Sequence, residues 1–198
     1  MKILLASILL IFSSASIAGG DDPDDMAVFI EQSKAQIKRL ATSLKTKLTE
    51  AMQNGGPGKA IKVCNLEAPV ITSDINSTSD VYVKRTSLKI RNPDNAPDEW
   101  EIMVLNKFQE QLDNGMPLKE INYAQVSEQD GVTTYRMMRP IPVGGVCLAC
   151  HGPSDSLPKE VKQELKTKYP DDQATGYAVG QLRGAFSVTK TLPHQESS

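Results

Sequence analysis

Apolar and polar residues repeat along this chain with two different periods, and the changes between them mark out the elements. Between residues 26 and 53, Phe29, Ile30, Ile37, Leu40, Leu44, Leu48 and Met52 recur at steps of three, four and seven. That spacing predicts a long amphipathic helix. Its stripe is expected to pack on the rest of the domain; the alternative is a coiled-coil-like seam in a homodimer. Asp21, Asp22, Asp24 and Asp25 precede it, where carboxylates can cap a helix and complement its dipole. Gly55-Gly56-Pro57-Gly58 ends this helix and opens a short one over 59–68, on which Ala60, Ile61 and Cys64 share a face. Pro69 and the polar stretch 73–80 are expected to end it.

Residues 81–88, rich in Val, Tyr and Thr, predict a strand, and 91–97 a turn-rich loop. Pro97 and Asp98 lead a helix with the stripe Trp100, Met103, Val104, Phe108 and Leu112, stopped by Asn114-Gly115 and Pro117. Two strands, 121–126 and 132–138, are joined by the turn signal Gln129-Asp130-Gly131. Arg139-Pro140-Ile141-Pro142 reads as a stiff approach to Gly144-Gly145. Pro158 leads a helix over 159–169, with Val161, Leu165 and Tyr169 on one face, and a strand over 184–190 closes the domain. A few antiparallel strands with helices segregated around them make an α+β domain. No internal repeat is visible.

The N-terminal stretch has a different character. Met1-Lys2 is followed by an apolar run over 3–12 and small residues ending in Ser16-Ile17-Ala18. This is the pattern of a signal peptide, residues 1–18, cleaved after Ala18. The apolar run is too short to span a bilayer comfortably. The mature chain is therefore expected to be soluble and periplasmic, without a membrane span. It divides into an N-terminal helical segment, 19–58, and a domain over 59–192. At 198 residues, 39% hydrophobic and 23% charged, the chain suits one globular domain. A net charge of -2 and an aromatic content of 5% give no basic or stacking surface for nucleic acid.

The chemistry lies in Cys147-Leu148-Ala149-Cys150-His151, followed by Gly152. Cys-x-x-Cys-His is the attachment run of a c-type haem. Two thiols a few residues apart can add across the vinyl groups of one porphyrin, and the next residue's imidazole reaches the iron. Bacteria attach such haems outside the cytoplasm, in keeping with the signal peptide. Three other chemistries compete for these residues. Cys64, Cys147, Cys150 and His151 would form a Cys3His zinc set, but Cys64 lacks a paired knuckle. A thioredoxin-like pair needs a βαβ setting, whereas this motif follows a Pro/Gly loop. A plain disulfide leaves the adjacent His unexplained. For the iron's second axial ligand, the residues alone leave open Cys64, His194, Met26, Met52, Met103, Met116, Met137 and Met138. Core filling is the default for the methionines, and a small buried thiol for Cys64.

Several stretches resemble one family: 61–69, 85–93, 95–101, Arg139-Pro140-Ile141, 147–152, 169–172, 174–177 and 184–189. They resemble exported haem c proteins first catalogued as a domain of unknown function, with a PAS-like fold. The resemblance covers about residues 59 to 190. It implies a central antiparallel sheet flanked by helices and one covalent haem, with His151 as one axial ligand. In a relative of known structure the other ligand is a Cys on the early helix, which maps onto Cys64. Many relatives carry the domain as the sensory part of a kinase or chemotaxis receptor. A thiolate ligand favours ferric iron, hence a low potential. Arg85, Arg91, Arg136 and Arg139 are candidate partners of the haem propionates. The expected function is low-potential electron transfer by a mono-haem c-type cytochrome with a redox partner protein. The alternative is a redox or diatomic-gas sensor acting on a signalling partner. No catalytic turnover is expected.

Overall fold

The computed structural model describes residues 23–193, so the expected signal peptide, residues 1–18, and His194 lie outside the described residues. Four strands form one antiparallel sheet in the order β1-β4-β3-β2: β1 Tyr82–Thr86, β2 Tyr123–Gln129, β3 Val132–Pro142 and β4 Leu182–Leu192. Helices cover both faces, the α+β, PAS-like arrangement expected. The hairpin between β2 and β3 turns on Asp130 (φ 52°) and Gly131 (φ 72°). Both central residues have positive φ, as a tight two-residue hairpin requires.

α1, Pro23–Asn76, is kinked at Gly55-Gly56. Gly56 has φ 70°, which a residue with a Cβ rarely adopts, and Pro57 then starts the second half. The first half lays Phe29, Ile37 and Leu40 on the sheet against Val83, Tyr135, Met137 and Val188. Burying each such side chain contributes about 1.5–3 kcal/mol, which explains why this stripe packs inward.

The second half does not stop at Pro69 as the sequence suggested; it runs on to Asn76. A proline inside a helix costs about 3 kcal/mol, and tertiary contacts offset it. Ile75 is buried in the sheet core with Ile71 beside it. Asn76 accepts from the Val83 amide at 2.8 Å and donates to the Val83 carbonyl at 3.0 Å, tying the helix end to β1.

On the opposite face, α2 (Glu99–Asp113) packs Val104, Leu105 and Phe108 on Met138, Ala185 and Ile121. Leu105 takes the inward place expected for Met103, which is 45% exposed. Asp98 and Glu101 close a capping box, and the fully buried Glu101 meets Lys84 at 2.9 Å and Arg136 at 3.6 Å.

The prolines at 140 and 142 belong to β3 rather than to a loop. β2 pairs with β3 only as far as Met138. Beyond it β3 has one neighbour, and a missing N–H costs least there.

At Gly184 the backbone of β4 lies close against the end of β1: a Cβ there would overlap the Thr86 carbonyl oxygen and press on Ser87. Gly184→Ala is expected to destabilise the fold by about 1–3 kcal/mol. A urea midpoint unchanged from the parent would contradict this packing.

Candidate haem site

The Cys-x-x-Cys-His run folds as a 3-10 turn, Gly145–Cys147, leading into a single helical turn, α3, Leu148–His151. The turn is short because Gly152 follows: its amide donates to the Leu148 carbonyl at 3.0 Å, and a Cβ there would lie 2.7 Å from the same oxygen. The exits are pinned by a second loop. Val143 and Gly180–Gln181 exchange backbone bonds of 2.9 Å, and the Tyr177 and Gly176 amides donate to the His151 and Gly152 carbonyls at 2.9 Å. Val143, Ala174 and Tyr177 are buried together, with Cys147 and Leu148 packed against them.

His151 Nδ1 lies 2.6 Å from the Ala174 carbonyl oxygen. A carbonyl only accepts, so Nδ1 carries the proton and Nε2 is left with a bare lone pair. Metal-bound histidines are oriented by this kind of second bond. Burial, then the charges of Arg91 and Arg183, push the imidazole pKa down to about 3, against the pull of the Ala174 bond. The ring is therefore neutral, the form that binds iron. The Tyr177 ring meets it edge-on at 6.3 Å.

Arg91 holds this assembly. Its Nε and Nη2 form a fork on Asp172 at 3.0 and 2.9 Å, and Nη2 also donates to the carbonyls of Cys150 (2.7 Å) and Ala174 (3.2 Å). Asp172 in turn accepts from the Ala174 amide at 2.9 Å. The carbonyl that orients His151 is thus fixed by a buried ion pair. Arg91 is a structural clamp and not a free propionate partner.

Cys64 sits on the second half of α1, which packs on α4, Lys159–Lys168. Ile61 joins Leu157, Val161, Leu165 and Tyr169 in one cluster with Cys150 at its edge. At Gly58 a Cβ would lie 3.1 Å from Glu160, and Lys62 pairs with Glu164 at 3.1 Å. Burial raises the Cys64 thiol pKa, with Arg85 and Arg91 pulling it down. Burial likewise pushes Cys150 up to about 11, and Cys64 is close enough to add to that. The fold thus brings together all four sequence-assigned positions, Cys64, Cys147, Cys150 and His151. All three cysteines are free, and among the described residues no group of three or more His, Cys, Asp and Glu side chains is arranged to hold a metal ion.

The other candidates disperse. Met137 and Met138 are buried on opposite faces of the sheet, and Met26 packs beside the first cluster. Met103 and Met116 are exposed. Arg136 lies on the α2 face, bound to Asp98 at 2.7 Å and stacked on Trp100, and Arg139 is exposed.

The residues present fit a haem. Gly144 and Gly145 are not demanded by the protein's own packing: a Cβ would meet only Cys147 Sγ at 3.9 Å at the first and nothing within 4 Å at the second. Room beside the two thiols is what an attached porphyrin needs. Arg85 and Arg183 each have a buried Nε without a partner, and neither side chain makes an ion pair among the described residues. Arg183, a lone charge in a strand, carried no signal in the sequence. A cavity of about 390 Å³ lies between α1, β1 and the Pro93–Asn95 turn; Arg85 lines it, whereas the four site residues do not.

The chain matches the family described as Tll0287-like over residues 24–190. Among solved structures it is similar to the crystal structure of the cyanobacterial heme-protein Tll0287, at 28% identity and a TM-score of 0.54. That match covers 91% of this chain and 100% of the other. No curated protein matches. Since the family match takes in the sheet, the flanking helices and every site residue, the chain belongs to the Tll0287-like family.

Proposed function

We propose that this chain is an exported, periplasmic haem c protein that carries single electrons at low potential. The observation that carries the reading is the Nδ1–Ala174 tether in a Cys-x-x-Cys-His turn, which leaves a neutral His151 with Nε2 free. Membership of the Tll0287-like family and similarity to a heme-protein support haem as the cofactor. Cys147 and Cys150 would hold it covalently, and His151 and Cys64 would be the axial ligands. When bound, the group supplies one-electron exchange at iron.

The chain's own residues do the rest. Asp172 and Arg91 fix the Ala174 carbonyl, and that carbonyl fixes the imidazole plane. Ile61, Leu157, Val161 and Leu165 exclude water from the Cys64 side. A thiolate on the iron favours the ferric state, which gives the low potential. Electron carriage without catalytic turnover is the role proposed.

One observation favours the sensing alternative. Cys64 stands beyond the Gly55-Gly56 kink on a helix mounted on α4, whereas His151 hangs from the loops at the end of β3. A change at Cys64 would therefore be felt first by the second half of α1.

Intact mass decides the cofactor. Protein exported with the haem-attachment machinery is expected to carry the mass of one haem, and Cys147→Ser with Cys150→Ser is expected to lose it. A parent protein with no adduct would overturn the reading. Carbon monoxide separates the two roles. The ferrous spectrum of an electron carrier that keeps both ligands is expected to be indifferent to CO, and a clear CO-induced shift would favour sensing.

A further inference from the structure

Three guanidiniums converge on the candidate site from three segments: Arg85 from β1, Arg91 from the loop after it, and Arg183 from β4. Each acts on His151 through space. Only one carboxylate answers them, since Asp172 is spent on Arg91. The other charged groups nearby do not alter the balance. Glu67 pairs with Lys47 at 3.5 Å, and the exposed Lys89 lies over the Tyr177 ring at 5.0 Å.

Arg183 donates to Ser87 Oγ (2.8 Å) and the Lys89 carbonyl (3.2 Å), both neutral, and its Nε has no partner. Arg85 is worse served. Its Nε is enclosed without an acceptor, and none of the ion pairs among the described residues includes it. The cavity it lines does not supply one. Asn76 is committed to Val83, Thr72 to the Ala68 carbonyl and Ser77 to the Asp74 carbonyl. Asp94, on the same wall, makes no ion pair with Arg85. Both side chains are partly buried, with the Nε of each enclosed, and leaving an enclosed cationic group unpaired is costly unless an anion arrives. Burial already presses both guanidiniums below the ordinary arginine range.

We infer that Arg85 and Arg183 are the anchors of the two haem propionates, with the Arg91–Asp172 pair as a neutral divider between the attachment turn and the carboxylates. This rests on the haem reading above. The charges then close. Ferric iron, the porphyrin dianion and a Cys64 thiolate sum to zero, and two propionates face two arginines. A guanidinium fork matches a carboxylate in shape as well as in sign. Bound in this way, the haem would have two fixed cations at its carboxylates, which would oppose the additional positive charge of the ferric state. They therefore raise the potential against the lowering by the thiolate, and Arg85 and Arg183 become the residues that set it.

The test uses the exported holoprotein and four variants: Arg85→Gln, Arg183→Gln, Arg85→Lys and Arg183→Lys, with Arg139→Gln as an exposed control. Intact mass reports haem attachment, a redox titration reports the midpoint potential, and the propionate bending band in the resonance Raman spectrum reports hydrogen bonding at the carboxylates. With haem retained, each Gln variant is expected to lower the potential and move the band, and the two combined to lower it further. Each Lys variant is expected to recover part of the potential while the band stays shifted, because the charge returns without the fork. Arg139→Gln is expected to change neither. Holoprotein in which both Gln variants keep the parental potential and band would overturn the assignment, as would an equal effect from Arg139→Gln. If a Gln variant does not fold, the Lys variant alone decides: a shifted band supports the anchor, and an unshifted band refutes it. A parent without a haem adduct would instead overturn the reading on which this one stands.

Discussion

One side chain, Arg91, ties the attachment turn, the loop at Asp172 and the loop after β1 to one another. Its guanidinium bonds Asp172 on one side and the carbonyls of Cys150 and Ala174 on the other. Each charge-assisted bond of this kind contributes about 1.5–3 kcal/mol. Its larger consequence is geometric. The Cys150 carbonyl belongs to the helical turn that bears the motif, and the Ala174 carbonyl is the one that orients His151. Removing either partner of such a buried pair strands the other, at about 3–5 kcal/mol. The attachment turn is only four residues long and could not hold a ring in place unaided.

From that clamp the site divides into two separately mounted halves. His151 is fixed to the sheet through β3, the 172–181 loop and Arg91. Cys64 rides on the second half of α1, seated on α4 through Ile61, Val161 and Leu165. The exposed Lys62–Glu164 pair adds little to that seat; apolar burial and the close approach at Gly58 determine it. The glycine kink makes the division possible. It lets the first half of α1 cover the sheet while the second half swings to the site. Arg85 and Arg183 meet this site from β1 and β4, the two strands that Gly184 allows to lie close together.

How far the sequence could be read follows from which forces are local. The Cys147–His151 motif is legible because its chemistry dictates its spacing. The α1 stripe, the Asp98 cap of α2 and the Asp130-Gly131 turn are legible because period and turn chemistry act over a few residues. Pro69 misled because its cost is local, whereas the contacts that offset it, Ile75 in the core and Asn76 on β1, are made with distant residues. Met103 and Leu105 exchanged places because a stripe drawn at steps of three and four leaves the exact bearing of the helix free. Pro140 and Pro142 looked like a loop because nothing local reveals that β3 loses its β2 neighbour beyond Met138. Arg91 and Arg183 could be noticed only as charges. The fork on Asp172 spans 81 residues, and the Arg183 contact with Ser87 spans 96.

The central claim is that His151 and Cys64, 87 positions apart and mounted on different halves of the fold, ligate one iron from opposite sides. It is tested most directly by the low-temperature electron paramagnetic resonance spectrum of the ferric holoprotein beside that of Cys64→Ala, with intact mass verifying the haem in both. A low-spin, thiolate-type signal in the parent that disappears in the variant is the expected result. The same signal in both proteins would contradict it.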